Sequence, residues 1–147
     1  MIAQEADDLV AKGIEALEND HFHLALVCFE RAAEYEKTPT VSSGLGYCLA
    51  AARGDVERGL ELCREAVALE PENVFLYRNL GSVLLLAGNS YEAIEAFRAG
   101  LRIGRYDAII RKLDSLGTRK PPLFPFLSRR NILNRTFGLI LDRLGFR

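Results

Sequence analysis

The sequence predicts an all-α protein: a right-handed α-solenoid of three helix pairs, a closing helix, and a basic amphipathic helix at the C-terminal end. Three observations predict it. Leu and Ala supply 40 of the 147 residues while Val, Ile and Thr supply 19, the composition of a helix former. Four columns recur at a spacing of 34: Asp20/Gly54/Gly88, Phe29/Cys63/Phe97, Ala25/Gly59/Ala93 and Ala32/Ala66/Gly100. Turn residues and prolines punctuate the apolar-periodic stretches rather than interrupting them. A period near 34 with two helical stretches per unit is the pattern of a helix–turn–helix array, in which each pair buries its apolar face against its neighbours.

Each element carries its own signal. Within a domain of residues 1–117, the units span about 6–39, 40–73 and 74–107. In 6–19, Leu9, Gly13, Ala16 and Leu17 recur at i, i+4, i+7 and i+8, one face of a helix. In 22–36, Phe22, Ala25, Leu26, Phe29, Ala32 and Ala33 form a wide apolar stripe opposite Glu30, Arg31 and Glu34. Asn19-Asp20, Arg53-Gly54-Asp55 and Gly88-Asn89-Ser90 mark the turns inside the units, and Pro39 and Pro71 fall between units. Unit two departs by one residue, since Gly13 to Gly46 is 33 and Gly46 to Gly81 is 35. Either its first helix shifts register or its turn is longer. Residues 106–116 read as the closing helix, with Tyr106, Ile109, Ile110, Leu113 and Leu116 on one face and Gly117 as its stop. Residues 118–130 hold three of the five prolines among Leu123, Phe124, Phe126 and Leu127, a segment expected to lie extended on the surface. Residues 131–147 return to helical period.

The formal net charge of −1 conceals a split. Residues 1–117 carry 12 Lys/Arg and 19 Asp/Glu, and residues 118–147 carry 7 Lys/Arg and one acid, Asp142. The acidic body would repel phosphate, so nucleic acid is not an expected partner. Glu5, Asp7 and Asp8 stand where a secretory signal needs basic residues, and no apolar run reaches membrane-spanning length. Cys28, Cys48 and Cys63 are widely spaced among apolar neighbours and read as buried, reduced thiols. The expected location is the cytoplasm or the cytoplasmic face of a membrane. His21 and His23, two apart, point in different directions and lack ligand companions. No nucleophile–base arrangement and no phosphate loop is present, and Gly44-Leu45-Gly46 has no strand before it. The residues predict no enzyme, no metal and no cofactor.

The repeat resembles the tetratricopeptide repeat family, whose pattern is a large residue, Leu-Gly, a bulky residue, a turn Gly, an aromatic, Ala, an aromatic, Ala and Pro. Unit three carries Tyr77, Leu80-Gly81, Leu84, Gly88, Ala93 and Phe97; unit one Leu9, Gly13, Phe22, Ala25, Phe29 and Ala32; unit two Leu45-Gly46, Gly54, Ala66 and Pro71. Unit two has Gly59 and Cys63 where Ala and an aromatic are usual. The resemblance implies a concave groove, lined by the first helix of each unit, that holds an extended peptide or a partner helix. Residue by residue, it places Val10, Ile14 and Leu17, Ser43 and Tyr47, and Arg78, Ser82 and Leu85 in that groove. Members that clamp acidic chaperone tails use Lys and Asn where this chain has Val10 and Ile14, so that ligand is not expected.

The expected function is therefore a non-catalytic protein-interaction module, an adaptor or assembly scaffold. Two further roles attach to the tail. Leu133, Phe137, Ile140 and Leu144 line one helix face, flanked by Arg130, Arg135 and Arg143. That helix could fold back on the acidic body, bind an anionic membrane surface, or pair with a second copy as a homodimer.

Overall fold

A computed structural model describes residues 1–117 of the chain. The expected segments 118–130 and 131–147, with Arg130, Leu133, Arg135, Phe137, Ile140, Arg143 and Leu144, lie outside the described residues. The described residues are helical throughout, with seven helices: α1 (Ile2–Glu18), α2 (Phe22–Tyr35), α3 (Pro39–Arg53), α4 (Val56–Leu69), α5 (Val74–Leu86), α6 (Ser90–Ile103) and α7 (Asp107–Leu116). The chain divides into two compact units, Met1–Leu113 and Asp114–Arg147, and the helix pairs all lie in the first. Successive pairs stack into the predicted α-solenoid. None of the described helices is long and apolar enough to cross a membrane.

Local chemistry sets the helix ends. Thr38 Oγ1 accepts from Val41 N–H at 3.2 Å and Pro39 opens α3. Asp55, Asn73 and Asn89 cap α4, α5 and α6, each accepting a backbone N–H with its side-chain oxygen. At the turn inside each pair one residue takes left-handed backbone: Asp20 (φ 57), Gly54 (φ 72) and Gly88 (φ 80). These are the residues of one 34-residue column, because the turn must reverse the chain at the same point in every unit. The odd residue of unit two sits at the end of α3. That helix runs to Arg53, seven residues past Gly46, whereas α1 and α5 stop five past Gly13 and Gly81. Its turn, Gly54-Asp55, is correspondingly shorter than the other two.

The small residues set helix spacing. A β-carbon on Gly13 would lie 2.9 Å from Phe29 Cζ, and one on Gly44 would lie 2.6 Å from the same atom. The Phe29 ring is thus held between α1 and α3. Gly81 meets the Phe97 ring in the same way in unit three. In unit two Cys63 stands in the aromatic's place, and the helices close up: a β-carbon on Gly59 would lie 2.5 Å from the Gly46 carbonyl oxygen. Gly100, in a column with Ala32 and Ala66, leaves the notch that Ile109 of α7 and Tyr77 fill, each 3.0 Å from where its β-carbon would be. Ile109 has no exposed surface.

This packing has two measurable outcomes. In urea melts, Gly59→Ala loses about 1–3 kcal/mol, because the obstacle is backbone and α3 must move off α4. Gly88→Ala, which meets nothing, loses about 1 kcal/mol through backbone strain alone. The thiols give a second readout. All three cysteines are free and buried. Burial pushes Cys48 up to about 12, opposed by the Arg78 guanidinium, and pushes Cys63 up to about 12, with Cys48 adding to it. At pH 8 these two therefore stay protonated, and a thiol reagent labels them only at the rate of unfolding. The unfolded chain releases these protons near its ordinary thiol value of 9.0, before the folded chain does. The contribution of these thiols to stability is then constant below pH 9 and falls as pH rises from 9 towards 12, seen as a declining melting temperature.

Candidate functional site

The first helices of the three pairs, α1, α3 and α5, share one face, and the expected groove residues divide on it. Val10 and Ile14 of α1 are half-buried and pack against the core. Tyr47, Ser82 and Leu85 come together around a hollow of about 430 Å³, lined also by Asp20, Phe22, Ala51, Leu86 and Lys112. Phe22 meets Tyr47 edge to face, ring centroids 5.3 Å apart, which fixes the aromatic wall. A second hollow of about 380 Å³ adjoins it, lined by Asp20, His21, Phe22, His23, Leu24, Ala51 and Ala52. Leu86 is 49% exposed and Leu24 is 56% exposed, so the rims are apolar and open to contact.

Leu17, Ser43 and Arg78 are not surface residues. Leu17 and Ser43 have no exposed surface, and Arg78 is 2% exposed. Arg78, expected on the groove surface, is an internal brace. Its Nη2 donates to the Leu17 carbonyl at 3.1 Å and its Nη1 to Asn79 Oδ1 at 3.0 Å. The guanidinium carbon stands 5.0 Å from the Tyr47 ring centroid. Asn79 Nδ2 donates to Ser43 Oγ at 3.0 Å, and Ser43 Oγ donates to the Thr40 carbonyl at 3.1 Å. Among the described residues Arg78 has no carboxylate partner, and its Nε lacks a hydrogen bond. The charge is eased by what surrounds it. Leu17 lies in the last turn of α1, where the helix dipole is negative, and the Tyr47 π face is negative too.

Tyr106, just before α7, lies close enough to that guanidinium to feel its charge. Its hydroxyl donates to Glu18 Oε1 at 3.1 Å, tying the start of α7 to the end of α1. Burial pushes the phenol up to about 12, with Arg78 opposing and Glu18 adding, so the hydroxyl keeps its proton as donor. A hollow of about 400 Å³ lies there, lined by Glu18, Arg105, Tyr106, Asp107, Ala108 and Arg111. Among the described residues, no group of three His, Cys, Asp or Glu side chains could hold a metal ion.

Five residues of the main hollow lie outside the set expected there: Asp20, Phe22, Ala51, Leu86 and Lys112. Asp20 belongs to a turn, Phe22 opens α2 and Lys112 lies on α7, so helix periodicity within one unit does not bring them to the face. The signal for Asp20 is its column, in which Gly54 and Gly88 stand. Arg78→Ala is expected to cost about 2–4 kcal/mol in urea melts, since it leaves a cavity and strands Asn79 Oδ1. Arg78→Lys recovers part of this, lacking the fork that reaches both acceptors.

Comparison with known proteins agrees with this fold. The tetratricopeptide repeat family profile matches residues 10–74 and 49–108. The second TPR domain of human RPAP3, solved with the HSP70 peptide SGPTIEEVD, is similar in fold: TM-score 0.56, 13% identity, covering 81% of this chain and 100% of that one. The Sgt2 TPR domain from Aspergillus fumigatus gives TM-score 0.56 and 20% identity, covering 89% of this chain and 93% of that one. The first TPR of Spaghetti (RPAP3), bound to the HSP90 peptide SRMEEVD, gives 0.55 and 16%, with 78% and 98% covered. No curated protein sequence matches the chain. With the family profile spanning most of the chain and the three helix pairs stacked as its pattern implies, the chain belongs to the tetratricopeptide repeat family.

Proposed function

We infer that the chain is a non-catalytic protein-interaction module, an adaptor or scaffold, that binds a peptide or partner helix on the face built by α1, α3 and α5. The observation that carries this is the apolar hollow of about 430 Å³ walled by Phe22, Tyr47, Ala51, Leu85 and Leu86. Concave, largely apolar sites with a few polar groups on a rigid frame are binding sites by default. The frame is rigid because Tyr47 is held from one side by Arg78 and from another by Phe22. The reading is also that of the family, and two of the similar structures were solved with short peptides bound. The groove is narrower than the residue set expected from the repeat: Tyr47, Ser82 and Leu85 wall the hollow, Val10 and Ile14 are half-buried against the core, and Leu17, Ser43 and Arg78 support it from within. A cytoplasmic location accompanies this reading.

Selection of a random peptide library on the full chain tests it. Binders are expected to lose about tenfold or more in affinity to Leu85→Asp. They also weaken with Leu86→Ser, a change at an exposed position that leaves the thermal melt unaltered. Binders indifferent to both substitutions would place the interaction elsewhere.

A further inference from the structure

The first turn departs from the other two in a way that serves no local purpose. In units two and three, glycine takes the left-handed position and the next residue, Asp55 or Asn89, caps the second helix. In unit one the acid stands one place earlier. Asp20 itself takes the left-handed backbone, φ 57, where a β-carbon is unfavourable. The cap position falls to His21, which makes no side-chain cap. The Asp20 carboxylate therefore neither eases the turn nor caps α2, and among the described residues it has no hydrogen bond or ion pair. It lines both adjoining hollows, together with Phe22 and Ala51. An acid that stands where the other turns have glycine, and whose side chain makes no local hydrogen bond there, is free to serve a ligand.

We propose that this site takes a basic amphipathic helix. One apolar side chain of the ligand seats between Phe22, Tyr47 and Leu85, a second lies over the Leu24 hollow, and a Lys or Arg beside them pairs with Asp20. The proposal rests on the binding face inferred above and names the chemistry of its ligand. Charge complementarity supports it beyond the one carboxylate. Residues 6–117, which hold every element lining the two hollows, carry 12 Lys/Arg against 18 Asp/Glu. That field attracts a basic partner and repels an acidic one. Lys112 is the one Lys or Arg among the residues lining the main hollow.

The test compares two labelled 18-residue peptides of one amphipathic pattern, a Leu/Lys helix and a Leu/Glu helix, by fluorescence anisotropy on the full chain. The Leu/Lys helix is expected to bind and the Leu/Glu helix not. Asp20→Gly is expected to weaken Leu/Lys binding about threefold to fivefold while raising the melting temperature, since it restores the residue that the other two turns use. A merely structural Asp20 would not separate those two readouts. Leu86→Ser weakens the same peptide. Equal binding of both peptides, sensitive to Leu86→Ser, overturns the proposal and leaves the binding face standing. Leu/Lys binding unmoved by both substitutions is surface attraction only and overturns it. So does absence of binding to either peptide, whether residues 118–147 of the same molecule crosslink to the hollow or the chain sediments as two copies.

Discussion

Everything in this fold depends on how closely paired helices can approach, and that distance is set by a glycine facing a ring. Phe29 occupies the space that β-carbons on Gly13 and Gly44 would need, and Phe97 does the same against Gly81. The aromatic fills the gap while the glycine makes the gap narrow, so both are required. Unit two solves the problem differently. Cys63 is too small to hold the helices apart, so Gly59 and Gly46 bring backbone against backbone. Cys63 Sγ then reaches the Ser43 carbonyl at 3.5 Å. The middle pair is therefore tighter than its neighbours, and its irregular column is a packing solution rather than a defect.

Most of the fold is legible in the sequence because a period of 34 is a global signal, carried by many columns at once. The column of Phe29 and Phe97, the turn column and Pro39 each fall where the pattern places them. The length of α3 is legible only as a one-residue discrepancy, since helix and turn can absorb an extra residue equally well. The site is less legible. Spacing shows which residues face the same side of a helix, not what stands in front of them. Arg78 lies on the expected face, yet Tyr47 and the Leu17 carbonyl enclose it, and they come from α3 and α1. Gly100 reads in the sequence only as one more small residue of its column, because Ile109, which fills the notch, belongs to the next helix.

The enclosed guanidinium makes the polar interior unusual. Buried cations are normally matched by a carboxylate. Here the compensation is distributed over a helix end, an amide oxygen and an aromatic face. The Asn79–Ser43–Thr40 chain of hydrogen bonds extends the same interior from α5 to α3.

Helical repeat arrays behave as one-dimensional systems: each unit feels only its neighbour, and ends can fray while the middle persists. This chain breaks that rule. Arg78 reaches the Leu17 carbonyl across 61 positions, and Tyr106 reaches Glu18 across 88. The first bond joins the first pair directly to the third, and the second joins it to the entry of α7. Unravelling the first pair would strand a buried cation in the third, so neither end can open cheaply by itself. The array is turned into a closed cooperative unit, one that melts as a whole and must bring its distant ends together before its interior is complete.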